Sequence, residues 1–154
     1  MSPHFCGDKV PEIRLTNAAD PIVLVVEDDA DDEAMTLRGL RRSPRPLQIR
    51  VARDGEEALA MLEGGLQPDL VLMDLKMPRL GGVEVLAAIR EDERTRNVPV
   101  VIFSSSDETY DIVRCYERGA NTYIRKPVEF IPFLDCLELL TKYWFENSKL
   151  PLTL

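Results

Sequence analysis

An apolar run ends abruptly at an acid in residues 69–78, which read DLVLMDLKMP. The residues between Asp69 and Asp74 are all apolar, which is typical of a strand buried on both faces of a parallel sheet. A second run of this kind, IVLVV at 22–26, also ends in acids, Glu27 and Asp28. The sequence therefore predicts a buried sheet whose strands end in charged groups.

Outward from these runs, strands alternate with helices along the chain. We predict strands at 22–26, 47–52, 69–73, 98–103 and 122–124, and helices at 31–42, 55–63, 83–91, 107–118 and 129–145. Asp107 is the expected N-cap of the fourth helix, and Gly119 is its expected stop. This alternation predicts an α/β fold: a doubly wound, five-stranded parallel sheet in the order 2-1-3-4-5, wrapped by five helices as in flavodoxin-like proteins.

Composition favours one folded domain of ordinary size. The chain has 154 residues, 45% of them apolar and 30% charged, which is a globular composition. We expect the domain at 21–147, with a flexible N-terminal extension at 1–20 and a C-terminal tail at 148–154. Acids outnumber bases by 27 to 19, a net charge of −8, which argues against binding to nucleic acid or to an anionic membrane.

Histidine and cysteine usage excludes several kinds of chemistry. His4 is the single histidine, which argues against Ser-His-Asp and Cys-His catalysis and against a phosphohistidine carrier. Cys6, Cys115 and Cys136 show neither even pairing nor metal-ligand spacing, so a reducing compartment is expected. No apolar run of membrane-spanning length is present, and we expect a cytoplasmic protein.

Polar residues follow the predicted strands at their carboxyl ends. Glu27 and Asp28 follow the first strand, Asp74 the third, Ser104 the fourth and Lys126 the fifth. In an open α/β sheet these ends form the ligand crevice. Clustered carboxylates repel one another, and a hard divalent ion such as Mg²⁺ relieves that repulsion. With a lysine and a hydroxyl nearby, the set is suited to phosphoryl transfer onto Asp74.

At these residues the sequence resembles the receiver domain of two-component response regulators. The matching segments are VVEDD at 25–29, DLVLMDLKMP at 69–78 with the glycines at 81–82, VVIFSS at 100–105 and GANTYIRKP at 119–127. The resemblance covers roughly residues 21–146. It implies a phosphorelay signalling module with self-phosphorylation and self-dephosphorylation chemistry, and not an enzyme acting on a separate substrate.

The resemblance assigns roles in phosphorylation residue by residue. Asp74 is the implied phosphoacceptor, which takes the phosphoryl group from a phosphohistidine of a partner kinase. Glu27, Asp28, Asp74 and the backbone carbonyl of Lys76 are the implied Mg²⁺ ligands. Lys126 is implied to pair with the phosphoryl group.

The resemblance also implies a switch and a backbone feature. Ser104 is expected to move towards the phosphoryl group, and the ring of Tyr123 to follow, which changes the surface around the fourth and fifth strands. The Lys126–Pro127 peptide bond is expected to be cis, since proline makes that isomer accessible. Asp31, Asp32 and Glu33, in contrast, are expected to form only a solvated helix start.

Further segments are similar to the small response regulators paired with phytochrome-type histidine kinases. They are DGEEAL at 54–59, SSS at 104–106, YWF at 143–145 and KLP at 149–151. This implies a single-domain regulator with a histidine kinase partner and a downstream protein target or phosphotransfer protein. A second apolar stripe on the last helix predicts a homodimer through that helix; it comprises Phe133, Cys136, Leu139 and Tyr143.

Three other functions remain alternatives. A Mg²⁺-dependent phosphohydrolase with an aspartyl nucleophile would need a second acid two positions after it, whereas Leu75 and Lys76 follow Asp74. A flavodoxin-like cofactor carrier would need a phosphate loop after the first strand, where the acids at 27–29 would repel phosphate. A receiver that signals by binding alone would usually lack part of the acid set, which is complete here.

Overall fold

Five parallel strands alternate with five α-helices over residues 20–151, the part of the chain that this computed structural model describes. His4, Cys6 and almost all of the predicted N-terminal extension lie outside the described residues, as do residues 152–154. The strands are β1 Ile22–Val26, β2 Gln48–Ala52, β3 Leu70–Met73, β4 Val100–Ser104 and β5 Thr122–Arg125. The helices are α1 Ala30–Leu40, α2 Gly55–Glu63, α3 Gly82–Glu91, α4 Thr109–Glu117 and α5 Phe130–Lys142, followed by a π-helical turn at Tyr143–Asn147.

The sheet has the predicted topology. Its strand order is β2-β1-β3-β4-β5, with every neighbouring pair parallel. Val26 at the end of β1 pairs in register with Met73 at the end of β3. The residues that follow these two strands therefore emerge side by side, which places the predicted acids at one edge of the sheet.

Alternate strand residues pack against different layers of helices. One core cluster joins Leu24 of β1 and Val71 of β3 to residues of α2, α3 and α4. The other joins Val23 of β1 and Leu70 of β3 to residues of α1 and α5. Because both faces are covered, β3 needs apolar residues at every position, as its sequence shows. None of the helices between residues 20 and 151 combines the length and the apolar character needed to cross a bilayer.

The predicted second stripe on the last helix divides between core and surface. Phe133 is buried and packs edge-on against Phe103 with ring centroids 5.1 Å apart. Cys136 is half-buried, whereas Leu139 and Tyr143 are 69% and 55% exposed. Phe133 is therefore a core residue, and only the outer part of the stripe remains available to another molecule.

The start of α4 differs from the prediction. The helix begins at Thr109, and its N-cap position is Glu108, which makes no side-chain capping bond. Asp107 lies one position before the N-cap, and its exposed carboxylate pairs with Arg125 on β5 at 3.1 Å. The predicted stop is confirmed: Gly119 has a φ of 98°, which glycine adopts without steric cost.

The backbone departs from two further expectations. No peptide bond between residues 20 and 151 is cis, so the Lys126–Pro127 bond is trans, the isomer favoured by about 0.5–1 kcal/mol before proline. The last α-helix ends at Lys142 instead of 145, because the chain widens into the π-helical turn that follows. The buried aromatic of that turn, Phe145, joins the core cluster beneath α1 and α5.

Candidate functional site

The predicted acids meet at the carboxyl edge of the sheet. Oxygens of Glu27, Asp28 and Asp74 all lie within 4.8 Å of one another. Their surroundings differ, since Glu27 is 3% exposed, Asp28 is exposed and Asp74 is half-buried. Three carboxylate oxygens at this spacing match the ligand chemistry of a hard divalent cation, so the residues present fit a metal of that class.

Backbone contacts hold Asp74 in place. Its amide donates to the carbonyl of Val26 at 2.9 Å, and its Oδ1 accepts from the amide of Leu75 at 2.7 Å. The first residue of α3 packs directly against it, because a Cβ on Gly82 would lie 2.5 Å from the carbonyl oxygen of Asp74. Only glycine permits this approach, which explains why Gly82 occupies the first position of α3.

Lys126 lies at the centre of the acid cluster. Its Nζ is 2.7 Å from Glu27 Oε1, 2.7 Å from Asp32 Oδ2 and 3.4 Å from Asp74 Oδ2, and its side chain is 6% exposed. The expectation that Asp32 belongs only to a solvated helix start is therefore wrong. It is also wrong for Glu33, which pairs with Arg53 at 3.1 Å.

Burial and charge set the ionisation of the central pair. Burial raises the pKa of Glu27 to about 7, and the charge of Asp74 adds to that rise while the hydrogen bond from Lys126 opposes it. For Lys126, burial alone would lower the pKa, but the hydrogen bonds to Asp32 and Glu27 outweigh burial and raise it. The Lys126 ammonium therefore stays charged, whereas Glu27 titrates near neutrality in the metal-free site.

The predicted switch residues meet at a residue that the sequence reasoning missed. Ser104 is fully buried, and its Oγ accepts from the amide of Ser106 at 3.2 Å. The Tyr123 hydroxyl donates to the carbonyl of Ser106 at 2.8 Å. Ser106 thus connects the two predicted switch residues through its own backbone.

A network of side chains extends from Ser106 to the loop after β3. Ser106 Oγ donates to Asp111 Oδ2 at 2.7 Å, and Lys76 Nζ lies 3.3 Å from the same oxygen. The hydrogen bond from Ser106 lowers the pKa of Asp111, and the bond from Lys76 adds to this. We call Lys76, Ser106, Asp111 and Tyr123 the Asp111 network. Apart from Tyr123, no residue of this network was predicted from the sequence to make these contacts. The separate role of the Lys76 carbonyl as a metal ligand stays a prediction.

Replacing Asp111 with alanine should lower the free energy of unfolding by about 1–2 kcal/mol, because the half-buried Ser106 hydroxyl and the exposed Lys76 ammonium lose their shared acceptor. Urea unfolding followed by far-ultraviolet circular dichroism measures the change. Asp135, whose side chain is 60% exposed and pairs with Arg42, provides the control. Asp135→Ala should change stability by no more than about 0.5 kcal/mol, and equal losses in both variants would contradict a structural role for the Asp111 network.

Comparison with known proteins places these features in a family. The sequence model of the response regulator receiver domain matches residues 23–138. The probable methanogenesis regulatory protein FilR2 of Methanothrix harundinacea is 36% identical over 140 residues, which span 87% of this chain and 90% of that protein.

Two solved structures share the whole architecture. The phosphorylated cyanobacterial phytochrome response regulator RcpA superposes with a TM-score of 0.82 at 32% identity, covering 86% of this chain and 99% of that one. The Mn²⁺-bound form of the response regulator Rcp1, a protein of Synechocystis, superposes with a TM-score of 0.79 at 29% identity, covering 85% and 99%. With the family match spanning most of the chain and the acids and lysine at the expected strand ends, this protein belongs to the response regulator receiver domain family.

Proposed function

We propose that this protein accepts a phosphoryl group from a histidine kinase onto Asp74 in a Mg²⁺-dependent reaction and then changes its binding to a protein partner. The observation that carries the proposal is the position of Asp74 at the end of a buried strand, with Glu27 and Asp28 beside it and Lys126 within 3.4 Å. This arrangement combines a nucleophile, metal ligands and a cation, which phosphoryl transfer requires.

The charges explain why each component is needed. Four carboxylates and one ammonium give the cluster a net negative charge, even when Glu27 is protonated, and this charge would repel a phosphoryl donor. Bound Mg²⁺ would offset most of this charge and orient the phosphoryl oxygens. We assign Glu27, Asp28 and Asp74 as its side-chain ligands, with the Lys76 carbonyl as a further ligand. Lys126 would stabilise the charge on the transferred group.

The proposed switch runs from Ser104 through Ser106 to Tyr123 and α4. Ser104 would turn its hydroxyl towards the phosphoryl group, and the loop that carries Ser106 would follow. That loop leads directly into α4, whose outer face exposes apolar side chains to a partner. These side chains are Tyr110, Val113 and Tyr116, which are 70%, 48% and 48% exposed.

The partners follow from the same reasoning. The likeness to RcpA, a phytochrome response regulator, supports a phytochrome-type histidine kinase as the donor. The net charge of −8 favours a protein target or a phosphotransfer protein over nucleic acid or an anionic membrane.

We assign the receiver domain to residues 21–147, between an N-terminal extension and a C-terminal tail. We also propose that the protein acts in the cytoplasm. Exposed Leu139 and Tyr143 support a homodimer through the last helix.

Mg²⁺ binding should weaken as the pH falls through 7. The pKa of Glu27 is raised to about 7, so below that value a growing fraction of this ligand carries a proton that the metal must displace. Well below pH 7, where each bound Mg²⁺ displaces one proton from Glu27, the apparent Mg²⁺ affinity should fall by about tenfold per pH unit. Calorimetric titration at pH 6 to 8, with Glu27→Gln as the comparison, measures the effect. If the Mg²⁺ affinity of the wild type did not change between pH 6 and 8, the ionisation assigned to Glu27 would be contradicted.

Incubation with Mg²⁺ and a small phosphodonor such as acetyl phosphate tests the function itself. Intact mass measurement should show the gain of one phosphoryl group, and a chelator added beforehand should prevent it. A protein that gains no mass would contradict the proposal. Repeated hydrolysis of a phosphate ester by each molecule would instead favour the phosphohydrolase.

A further inference from the structure

Asp32 has no role in the proposed phosphorylation chemistry, yet it makes one of the shortest contacts in the site. The distance from its Oδ2 to Lys126 Nζ is 2.7 Å, compared with 3.4 Å from Asp74 Oδ2 to the same nitrogen. The ammonium therefore lies closer to the acid on α1 than to the proposed phosphoacceptor. An ammonium has three N–H donors, and Glu27, Asp32 and Asp74 together account for all of them.

The start of α1 fixes where Asp32 lies. The side chain of the N-cap, Asp29, accepts hydrogen bonds from the amides of Asp31 and Asp32, which anchors the first turn of the helix. Asp32 lies outside the group of three acids whose oxygens converge, and its side chain is 35% exposed. It is therefore placed to contact the lysine from the rim of the site, and water can solvate it when that contact breaks.

We propose that Asp32 is a positioning residue that holds Lys126 in the unphosphorylated protein and competes with the phosphoryl group for it. The proposal rests on the proposed function. A phosphoryl group on Asp74 brings new acceptor oxygens to an ammonium whose donors are all in use, so one existing contact must be exchanged. Glu27 is buried and belongs to the metal-ligand set, whereas Asp32 is half-exposed and does not. The 3.4 Å contact with Asp74 is on the carboxylate that carries the phosphoryl group, so the ammonium moves towards that side of the site, and the Lys126–Asp32 contact is the one that is given up.

Titration with beryllofluoride in the presence of Mg²⁺ tests this competition, because beryllofluoride is a tetrahedral mimic of a phosphoryl group on a carboxylate. Asp32→Asn should tighten its binding three- to tenfold, since a neutral amide holds the ammonium less strongly. Asp32→Glu should stay closer to the wild type. Asp31→Asn provides the matched control, because it makes the same charge change at the adjacent, exposed position, and it should change binding by less than twofold.

A double-mutant cycle separates positioning from simple charge repulsion. If Asp32 acts through the lysine, Asp32→Asn should have no effect in a Lys126→Met background. An effect of the same size in both backgrounds would overturn the proposal, as would unchanged or weaker binding by Asp32→Asn in the wild-type background.

A second measurement needs neither metal nor phosphoryl mimic. In the metal-free protein labelled with ¹⁵N-lysine, Asp32→Asn should shift the Nζ resonance of Lys126 and speed exchange of its ammonium protons, while Asp31→Asn leaves both unchanged. An unchanged Lys126 resonance in Asp32→Asn would overturn the proposal. Failure of the wild-type protein to bind beryllofluoride would count against the proposed function. The Lys126 resonance would still show whether Asp32 contacts the lysine.

Discussion

Replacing Asp74 with asparagine should abolish phosphoryl uptake, with a rate at least about 100-fold below that of the wild type. An amide lacks the nucleophilic carboxylate oxygen that forms the acyl phosphate. The substitution also removes one of the three acids whose oxygens lie within 4.8 Å, so Mg²⁺ affinity should fall as well. Intact mass after incubation with Mg²⁺ and acetyl phosphate measures the rate.

The Asp74→Asn protein should remain folded, which keeps the experiment interpretable. An asparagine carbonyl can still accept the bond that Asp74 Oδ1 accepts from the Leu75 amide at 2.7 Å. Loss of one charge also relieves repulsion from Glu27, so the free energy of unfolding should stay equal or rise by about 1 kcal/mol. Asp135→Asn, at an exposed position on α5, should take up phosphoryl at the wild-type rate. Uptake by Asp74→Asn at that rate would contradict the assignment of the phosphoacceptor.

Replacing Lys126 with methionine should have opposite effects on metal binding and on phosphoryl uptake. The ammonium lies 2.7 Å from Glu27 and 3.4 Å from Asp74, so its removal leaves the acids more negative. Mg²⁺ affinity should rise by about tenfold, since even a well-screened charge at this distance contributes about 1 kcal/mol or more. Uptake should nevertheless slow by about 100-fold, because the charge on the transferred group loses its partner.

Calorimetry and intact mass measure these two quantities on the same Lys126→Met preparation. Lys142→Met offers a matched control, since Lys142 is 48% exposed and pairs with Glu138 on the surface of α5. It should change neither quantity. Uptake by Lys126→Met at the wild-type rate, or weaker Mg²⁺ binding, would show that the lysine does not act on the acid cluster as described.

The fold and the acid cluster could be predicted because both depend on local pattern. Apolar runs such as 70–73 specify buried strands, and parallel strands bring their carboxyl ends to one edge. Glu27, Asp28 and Asp74 each directly follow such a run. Once the strand order was known, their convergence required no knowledge of side-chain conformations.

The remaining contacts could not be predicted because they join distant positions through specific side-chain conformations. Asp32 and Lys126 are 94 positions apart, and one turn of α1 decides whether an acid faces the lysine or the solvent. Nothing in the sequence distinguishes Asp111 from other acids on helices, because its contact with Ser106 depends on the conformation of the loop after β4. Asp107 has a residue type that is typical of an N-cap, but α4 begins one position later than predicted, and the Asp107 carboxylate pairs with Arg125 across the loop.

Locating the modified residue tests the central claim most directly. After incubation with Mg²⁺ and acetyl phosphate, borohydride reduces an aspartyl phosphate to homoserine, and peptide mass spectrometry identifies the altered position. The account predicts modification at residue 74 alone, at the carboxyl end of β3. Reduction at Asp28, or a phosphate ester left intact on Ser104, with residue 74 unchanged would contradict it, as would no modification at all.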